Sequence, residues 1–208
     1  VRHGESESNV YAQENPNEAA SHFGEFGSSL TQNGREQAHK LAQKIKEVHF
    51  SAIFSSDLAR AKETAEIIGS DRDMDVQTNP MIRERYFGEH MSNAKKREIE
   101  KALIDLDELE KLAFRYFPSG ESGYDVINRF KKFLKEITLV YAGKKIIVVC
   151  HGYIMRLFLI HEGFATFDEL PSGSIKNTGY FIIQTDGTNF QIKEMHNITK
   201  KQESDNEE

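Results

Sequence analysis

The sequence predicts an α/β domain built on a mainly parallel sheet, and three observations predict it. Apolar runs of strand length alternate with segments of helical period through most of the chain. One of those runs, "KKIIVVCHG", is apolar without polar alternation, as in a strand covered on both faces. Two strand candidates, "AIFSS" and "IIVVC", lead within a few residues into helical segments, as parallel pairing requires.

The elements follow in order. Thr31 is placed as the N-cap of a helix whose Ala38, Leu41, Ala42, Ile45 and Val48 share one stripe. "AIFSS" (52–56) reads as a short buried strand. Residues 58–68 form the next helix, with Gly69 as its C-terminal stop. The polar turn "GSDRDMD" leads to a weak strand around Val76. Residues 93–116 are predicted as one helical run, with Leu103, Leu106, Leu109 and Leu112 about a turn apart, broken by Pro118 and Gly120. Ser122 and Asp125 make a capping box for a helix with Val126, Phe130, Phe133 and Ile137 on its apolar face. "KKIIVVCHG" turns at Gly152 into the helix "YIMRLFLI". "YFIIQT" and "NFQIKEM" read as a hairpin closed by "DGTN". One domain is expected over residues 1–199. The tail 200–208 is charged, lacks apolar anchors and is predicted disordered.

Composition narrows the function. The chain has 208 residues, 38% hydrophobic and 29% charged, with a net charge of −6, which disfavours nucleic acid as a partner. No run approaches the ~18 apolar residues of a membrane span. The single cysteine, Cys150, excludes an intrachain disulfide and a Cys-rich zinc site, and fits a cytoplasmic protein. It ends an apolar run and reads as a small core residue. His22, His39, His49, His90, His161 and His196 are scattered without metal-ligand spacing, so no metal is expected.

Ligands of open α/β sheets bind outside the carboxyl ends of the strands. His3, Arg60 and His151 fall there, and both histidines precede a glycine that would let backbone approach a ligand. Arg2 and Arg60 precede or begin helical segments, where the dipole favours an anion. Two arginines, two imidazoles and helix N-termini at one sheet edge would form a phosphate pocket without a metal. Singly, each has a plainer reading. His3 is a surface residue, His151 a satisfied core imidazole, Arg60 a partner for Glu63, and Glu84 part of a solvated loop.

The blocks "RHGESESN", "LTQNG", "SSDLARAKETA", "IRERYFG", "GES" and "VVCHG" occur in an order that resembles the histidine phosphatase superfamily, the phosphoglycerate-mutase-like proteins. The resemblance runs from Val1 to about Phe181. It implies a single-domain three-layer α/β/α sandwich. It also implies that His3 is a nucleophile forming phosphohistidine and that Glu84 donates a proton to the leaving oxygen. Arg2, Arg60 and His151 would bind the phosphoryl group, with Asn9 and Gly152 adding contacts. Arg83 and Arg85 flank Glu84 and would favour its ionised form, which a nearby dianionic phosphate would oppose.

Within that superfamily the sequence favours hydrolysis. The segment between Gly88 and Gly120 lacks the Arg-Arg pair of cofactor-dependent mutases. Phe87 stands where the mutase branch has tyrosine, and Phe23 where it has threonine, while "PSGESGYDV" is similar to the phosphatase branch. The alternative is a cofactor-dependent phosphoglycerate mutase using 2,3-bisphosphoglycerate; otherwise no cofactor is implied. A third reading is a non-catalytic binding protein on the same fold, against which the retention of His3 and Arg60 stands. The expected partner is a small phosphorylated substrate, with no membrane, and a homodimer is compatible with the sequence. Segments 9–28 and 93–118 are expected to wall the pocket. Lys95, Lys96, Arg97 and Arg115 either read an extra anionic group or line a solvated face. Superfamily members carry a full strand before Arg-His-Gly, so several apolar residues are expected to precede Val1.

Overall fold

The structure is a computed structural model that describes residues 1–18, 27–88 and 92–201. The helices are α1 (Glu7–Glu14), α2 (Gln32–Lys44), α3 (Ala59–Ser70), α4 (Asn93–Ala102), α5 (Glu108–Ala113), α6 (Gly123–Val140) and α7 (Gly152–His161). The strands are β1 (Ala52–Ser55), β2 (Val76–Thr78), β3 (Ile146–Val149), β4 (Ile175–Thr185) and β5 (Phe190–Ile198).

Strand β1 lies between β2 and β3, parallel to both. Side chains of a strand alternate between its faces, and here both faces are covered. Ile53, Ile147 and Val149 pack with Leu41 and Ala42 of α2 and Ala61, Ala65 and Ile68 of α3. Ala52 and Phe54 pack on the other side with Phe130 and Phe133 of α6 and Ile154 and Phe158 of α7. Phe54 meets Phe133 edge-on at 5.5 Å, a favoured geometry for aromatic pairs. The result is the expected three-layer α/β/α arrangement.

Residues 1–3 extend the central layer. Val1 N donates to Val148 O, Cys150 N to Val1 O and His3 N to Cys150 O along β3. On the other side Arg2 N donates to Gly179 O of β4. The expected hairpin forms from β4 and β5, antiparallel, with Phe181 stacked on Phe158 and Phe190 edge-on to it.

Four details differ from the sequence reading. Helix α1 was not expected, because it buries no side chain and so shows no apolar period; its signal is the Ser6–Asn9 capping box. Residues 93–116 are two helices rather than one. Asp107 accepts from Glu110 N and starts α5 afresh, so Leu109 is 65% exposed while Leu112 is buried. Gly69 sits inside the last turn of α3 rather than past its end. Its role is close approach, since a Cβ there would lie 2.8 Å from Met74 O. At the C-terminus Lys200 pairs with Glu169 and Lys201 N donates to Glu169 O; residues 202–208 lie outside the described residues.

Candidate active site

The site forms where residues 1–3, β1 and β3 end together. The loop after His3 is tied to two helices: Gly4 N donates to Thr64 Oγ1, which donates to Arg60 O, and Glu5 N donates to Gln37 Oε1. Gly4 makes a close backbone approach within the scaffold. It lies against Gly34 of α2, with its Cβ direction 2.4 Å from Gly34 O.

His3 is buried, and its Nδ1 lies 2.6 Å from Gly4 O. A carbonyl only accepts, so Nδ1 carries the proton and Nε2 the lone pair. Nε2 in turn accepts from Arg60 Nε at 3.1 Å. Burial, then the charges of Arg60 and Arg2, hold the imidazole pKa well below its ordinary value, so the ring is neutral. His151 meets it at 5.2 Å with the ring planes at 62°. His151 is 0% exposed, and burial, then Arg60, His3, Arg129 and Arg2, push its pKa well down too.

Arg2 donates from Nη1 to Ile175 O. Burial lowers the pKa of both Arg2 and Arg60, and the Glu84 charge opposes it in each; Arg2 lowers Arg60 further. Arg60 does not pair with Glu63, which is taken by Arg35 and Leu30 N. Arg2 precedes no helix directly, since α1 begins at Glu7; it belongs to the extended segment beside Cys150. Arg60 does sit in the first turn of α3. Gly152 opens α7, and a Cβ there would lie 3.3 Å from Arg2 Nε.

Glu84 reaches the head of α7. Oε2 accepts from Tyr153 N, and Oε1 from Ile154 N and Arg85 N. The flanking arginines turn elsewhere: Arg83 forms a forked pair with Asp57, and Arg85 donates to Glu121 O, Phe114 O and Tyr153. Asn9 Oδ1 accepts from Ser6 N and from Asn177 Nδ2.

Among the described residues, three buried side-chain polar atoms have no hydrogen-bond partner: Arg2 Nε, His151 Nδ1 and His151 Nε2. Such groups are rare in folded proteins because each costs about 1–3 kcal/mol unpaired. Here all three belong to the cluster of Arg2, His3, Arg60 and His151, and they are the atoms that a ligand of this cluster would satisfy.

Residues that the sequence reading missed support the cluster. Asn177 Nδ2 donates to His3 O as well as to Asn9, and Thr178 N donates to His3 O. Thr178 has φ +55°, and the strand register shifts between Ile175 and Tyr180. The Asn-Thr-Gly sequence directly before the expected strand "YFIIQT" was the available signal for that irregularity. Of the four candidate cations, Lys95 pairs with Glu98 and Arg115 with Asp125, while Arg97 is exposed. Lys96 lies over the rings of Phe87 (4.6 Å) and Tyr153 (4.4 Å), and the Tyr153 amide is one of the two on α7 that hold Glu84. His22, Phe23 and His90 lie outside the described residues. No group of three His, Cys, Asp or Glu residues suited to a metal occurs among the described ones, and no helix there is long and apolar enough to cross a membrane.

Residues 1–198 match the histidine phosphatase superfamily (branch 1). The chain belongs to that superfamily. A Proteus mirabilis (strain HI4320) protein named a probable phosphoglycerate mutase GpmB is 32% identical over 165 residues, 76% of this chain and 71% of that one. The adenosylcobalamin/alpha-ribazole phosphatase of Escherichia coli (strain K12) is 25% identical over 164 residues, 76% of this chain and 75% of that one. Bacillus stearothermophilus YhfR superposes with a TM-score of 0.72 at 26% identity, covering 92% of both chains. This member of the superfamily thus has relatives named as a phosphatase and as probable mutases.

Proposed function

We propose that the protein is a metal-independent phosphomonoester hydrolase working through a phosphohistidine on His3, with Glu84 as proton donor. The observation that carries this is the His3 tautomer: a neutral buried ring with its Nε2 lone pair beside Arg60, facing unpaired donors of Arg2 and His151.

In the first step Nε2 attacks phosphorus as the ester P–O bond breaks, and Glu84 gives its proton to the departing oxygen. The Nδ1–H bond to Gly4 O stabilises the positive charge that the phosphorylated ring acquires. Arg2, Arg60 and His151 hold the equatorial oxygens, the main protein contribution to phosphoryl transfer. Asn9 Oδ1 is already engaged by two donors, so its Nδ2 is the end offered to phosphate. The amide of Gly152, at the head of α7, adds a donor. In the second step water attacks phosphorus, the P–N bond breaks, and Glu84 takes a proton from the water. Inorganic phosphate leaves and His3 is restored. The buried free thiol of Cys150 is in keeping with a cytoplasmic enzyme.

Relatives named as probable phosphoglycerate mutases favour a second reading, transfer of the phosphoryl group back to a phosphoglycerate. Absence of an Arg-Arg pair between Gly88 and Gly120, and Phe87 packed edge-on to Tyr116 and Tyr153, support hydrolysis. The test is phosphate release from aryl phosphate, sugar phosphates and 3-phosphoglycerate, with and without 2,3-bisphosphoglycerate. Hydrolysis predicts free phosphate without the bisphosphate. Interconversion of 2- and 3-phosphoglycerate that depends on it would replace this reading by the mutase one.

A further inference from the structure

Arg129 lies on α6, outside the set of candidate site residues, and its guanidinium serves the loop that carries Glu84. Nη1 donates to Met81 O and Arg83 O, each at 2.7 Å, and Nη2 donates to Glu84 O at 3.1 Å. Glu121 takes the other face of the fork, with Oε1 accepting from Nε at 2.8 Å and Oε2 from Nη2 at 3.0 Å. Glu121 also grips the next stretch of the same loop. Its Oε2 accepts from Tyr86 N, its N donates to Tyr86 O, and its O accepts from Arg85 Nε.

Irregular backbone near a core needs partners for its carbonyls. One planar, always-charged guanidinium meets three of them at once, which a lysine's single ammonium cannot reproduce. Among the described residues, the Glu84 carbonyl is linked to a helix of the scaffold through this fork, while the Glu84 carboxylate lies on the amides of α7. The two ends of Glu84 are therefore fixed to different helices, α6 and α7.

We propose that Arg129 is a positioning residue for the proton donor: by holding the Arg83 and Glu84 carbonyls it sets where the Glu84 carboxyl meets the leaving oxygen. Its three guanidinium nitrogens are all engaged by these carbonyls and by Glu121, so it acts through Glu84 and not on the phosphoryl group. This rests on the reading of Glu84 as the donor, and the experiment separates the two claims.

Wild type, Glu84→Gln, Arg129→Met and Arg129→Lys are compared for kcat/KM on an alkyl phosphate, whose leaving oxygen needs a proton, and on p-nitrophenyl phosphate, whose oxygen leaves unaided. Competitive inhibition by inorganic phosphate is measured for each. Glu84→Gln is expected to lose about 10²-fold or more on the alkyl ester, the usual span of general-acid catalysis, and far less on the aryl ester. Arg129→Met is expected to lose about tenfold or more on the alkyl ester and under about threefold on the aryl one, since even a ~1 Å misplacement is costly. Its inhibition by phosphate stays at the wild-type value, and Arg129→Lys recovers part of the alkyl rate. Equal losses on both esters, or weakened phosphate inhibition, would mean a general structural role and overturn the proposal while leaving Glu84 as donor. Equal losses on both esters in Glu84→Gln would end the donor reading and the proposal with it. Should Arg129→Met not fold, Arg129→Lys and Glu121→Gln carry the same comparison. The alkyl-selective loss is expected in both, and its absence overturns the proposal.

Discussion

Gly34 is the position where one methyl group tests how the helix α2 and the loop after His3 fit together. A Cβ at Gly34 would lie 1.9 Å from Glu5 O and 2.9 Å from both Glu5 C and Glu5 N. All three atoms are backbone, so no side chain can swing aside. The first contact must lengthen by at least about 1.1 Å to reach the 3.0 Å below which real Cβ contacts essentially do not occur. Glu5 is two residues from His3, and the Thr31 hydroxyl and Gln37 side chain lock it to the same helix. Gly34→Ala therefore either separates α2 from the loop or drags the loop with it. Overpacking of this kind costs about 1–3 kcal/mol. For a chain of this size that lowers Tm by roughly 2–12 °C. A displacement of about 1 Å at His3, the proposed nucleophile, lowers kcat/KM by about 10²-fold. Gly143→Ala is the comparison: it has φ +71° and nothing within 4 Å of its Cβ direction. Backbone strain there costs about 1–2 kcal/mol, so Tm falls while kcat/KM is retained. The assay is thermal unfolding alongside p-nitrophenyl phosphate turnover for both variants. Wild-type kcat/KM in Gly34→Ala would refute the close-packing argument, as would equal activity losses in the two variants.

Other outcomes follow from the same geometry. Asn177→Ala removes two hydrogen bonds, to His3 O and Asn9 Oδ1, and should lower kcat/KM by about tenfold at ~0.5–1.5 kcal/mol each; Asn177→Asp, which sets an acceptor against two acceptors, should lower it further. The folded-state pKa values of His3 and His151 lie well below their unfolded value, so the unfolded chain binds more protons between the two. Stability is therefore lost as pH falls below the unfolded imidazole value of about 6.5, and Tm should rise with pH up to that point and then level. His151→Asn should flatten that rise, and an unchanged slope would count against the buried neutral pair. Turnover should be insensitive to a strong chelator, and loss of activity restored by added metal would end the metal-independent mechanism.

Much of this arrangement is legible in the sequence because its physics is local. Thr31 and Ser122 announce their helices through side-chain caps, and "IIVVC" declares its two-sided burial by having no polar alternation. His3, Arg60 and His151 each follow strand or extended segments, and the topology of parallel strands gathers them at one edge. What the sequence hides is long-range. Arg129 reads as one more charge on an amphipathic helix until its partners 45–48 residues away are seen. Asn177 lies in what reads as a strand approach, 174 residues from His3. Arg83 and Arg85 mislead by adjacency: consecutive residues of an extended loop point apart, so neither guanidinium meets the Glu84 carboxylate. The break at Asp107 is hidden by leucines at helical spacing on both sides of it, and the reciprocal capping of Asp107 and Glu110 decides it.

The central claim is that His3 carries the phosphoryl group during turnover. Rapid acid-free quenching with a labelled aryl phosphate, followed by peptide mapping, tests it most directly. The expected result is an acid-labile, base-stable label on the ring of His3 in the wild-type protein and none in His3→Ala. A label mapped to another residue, or one that persists in His3→Ala, would contradict it.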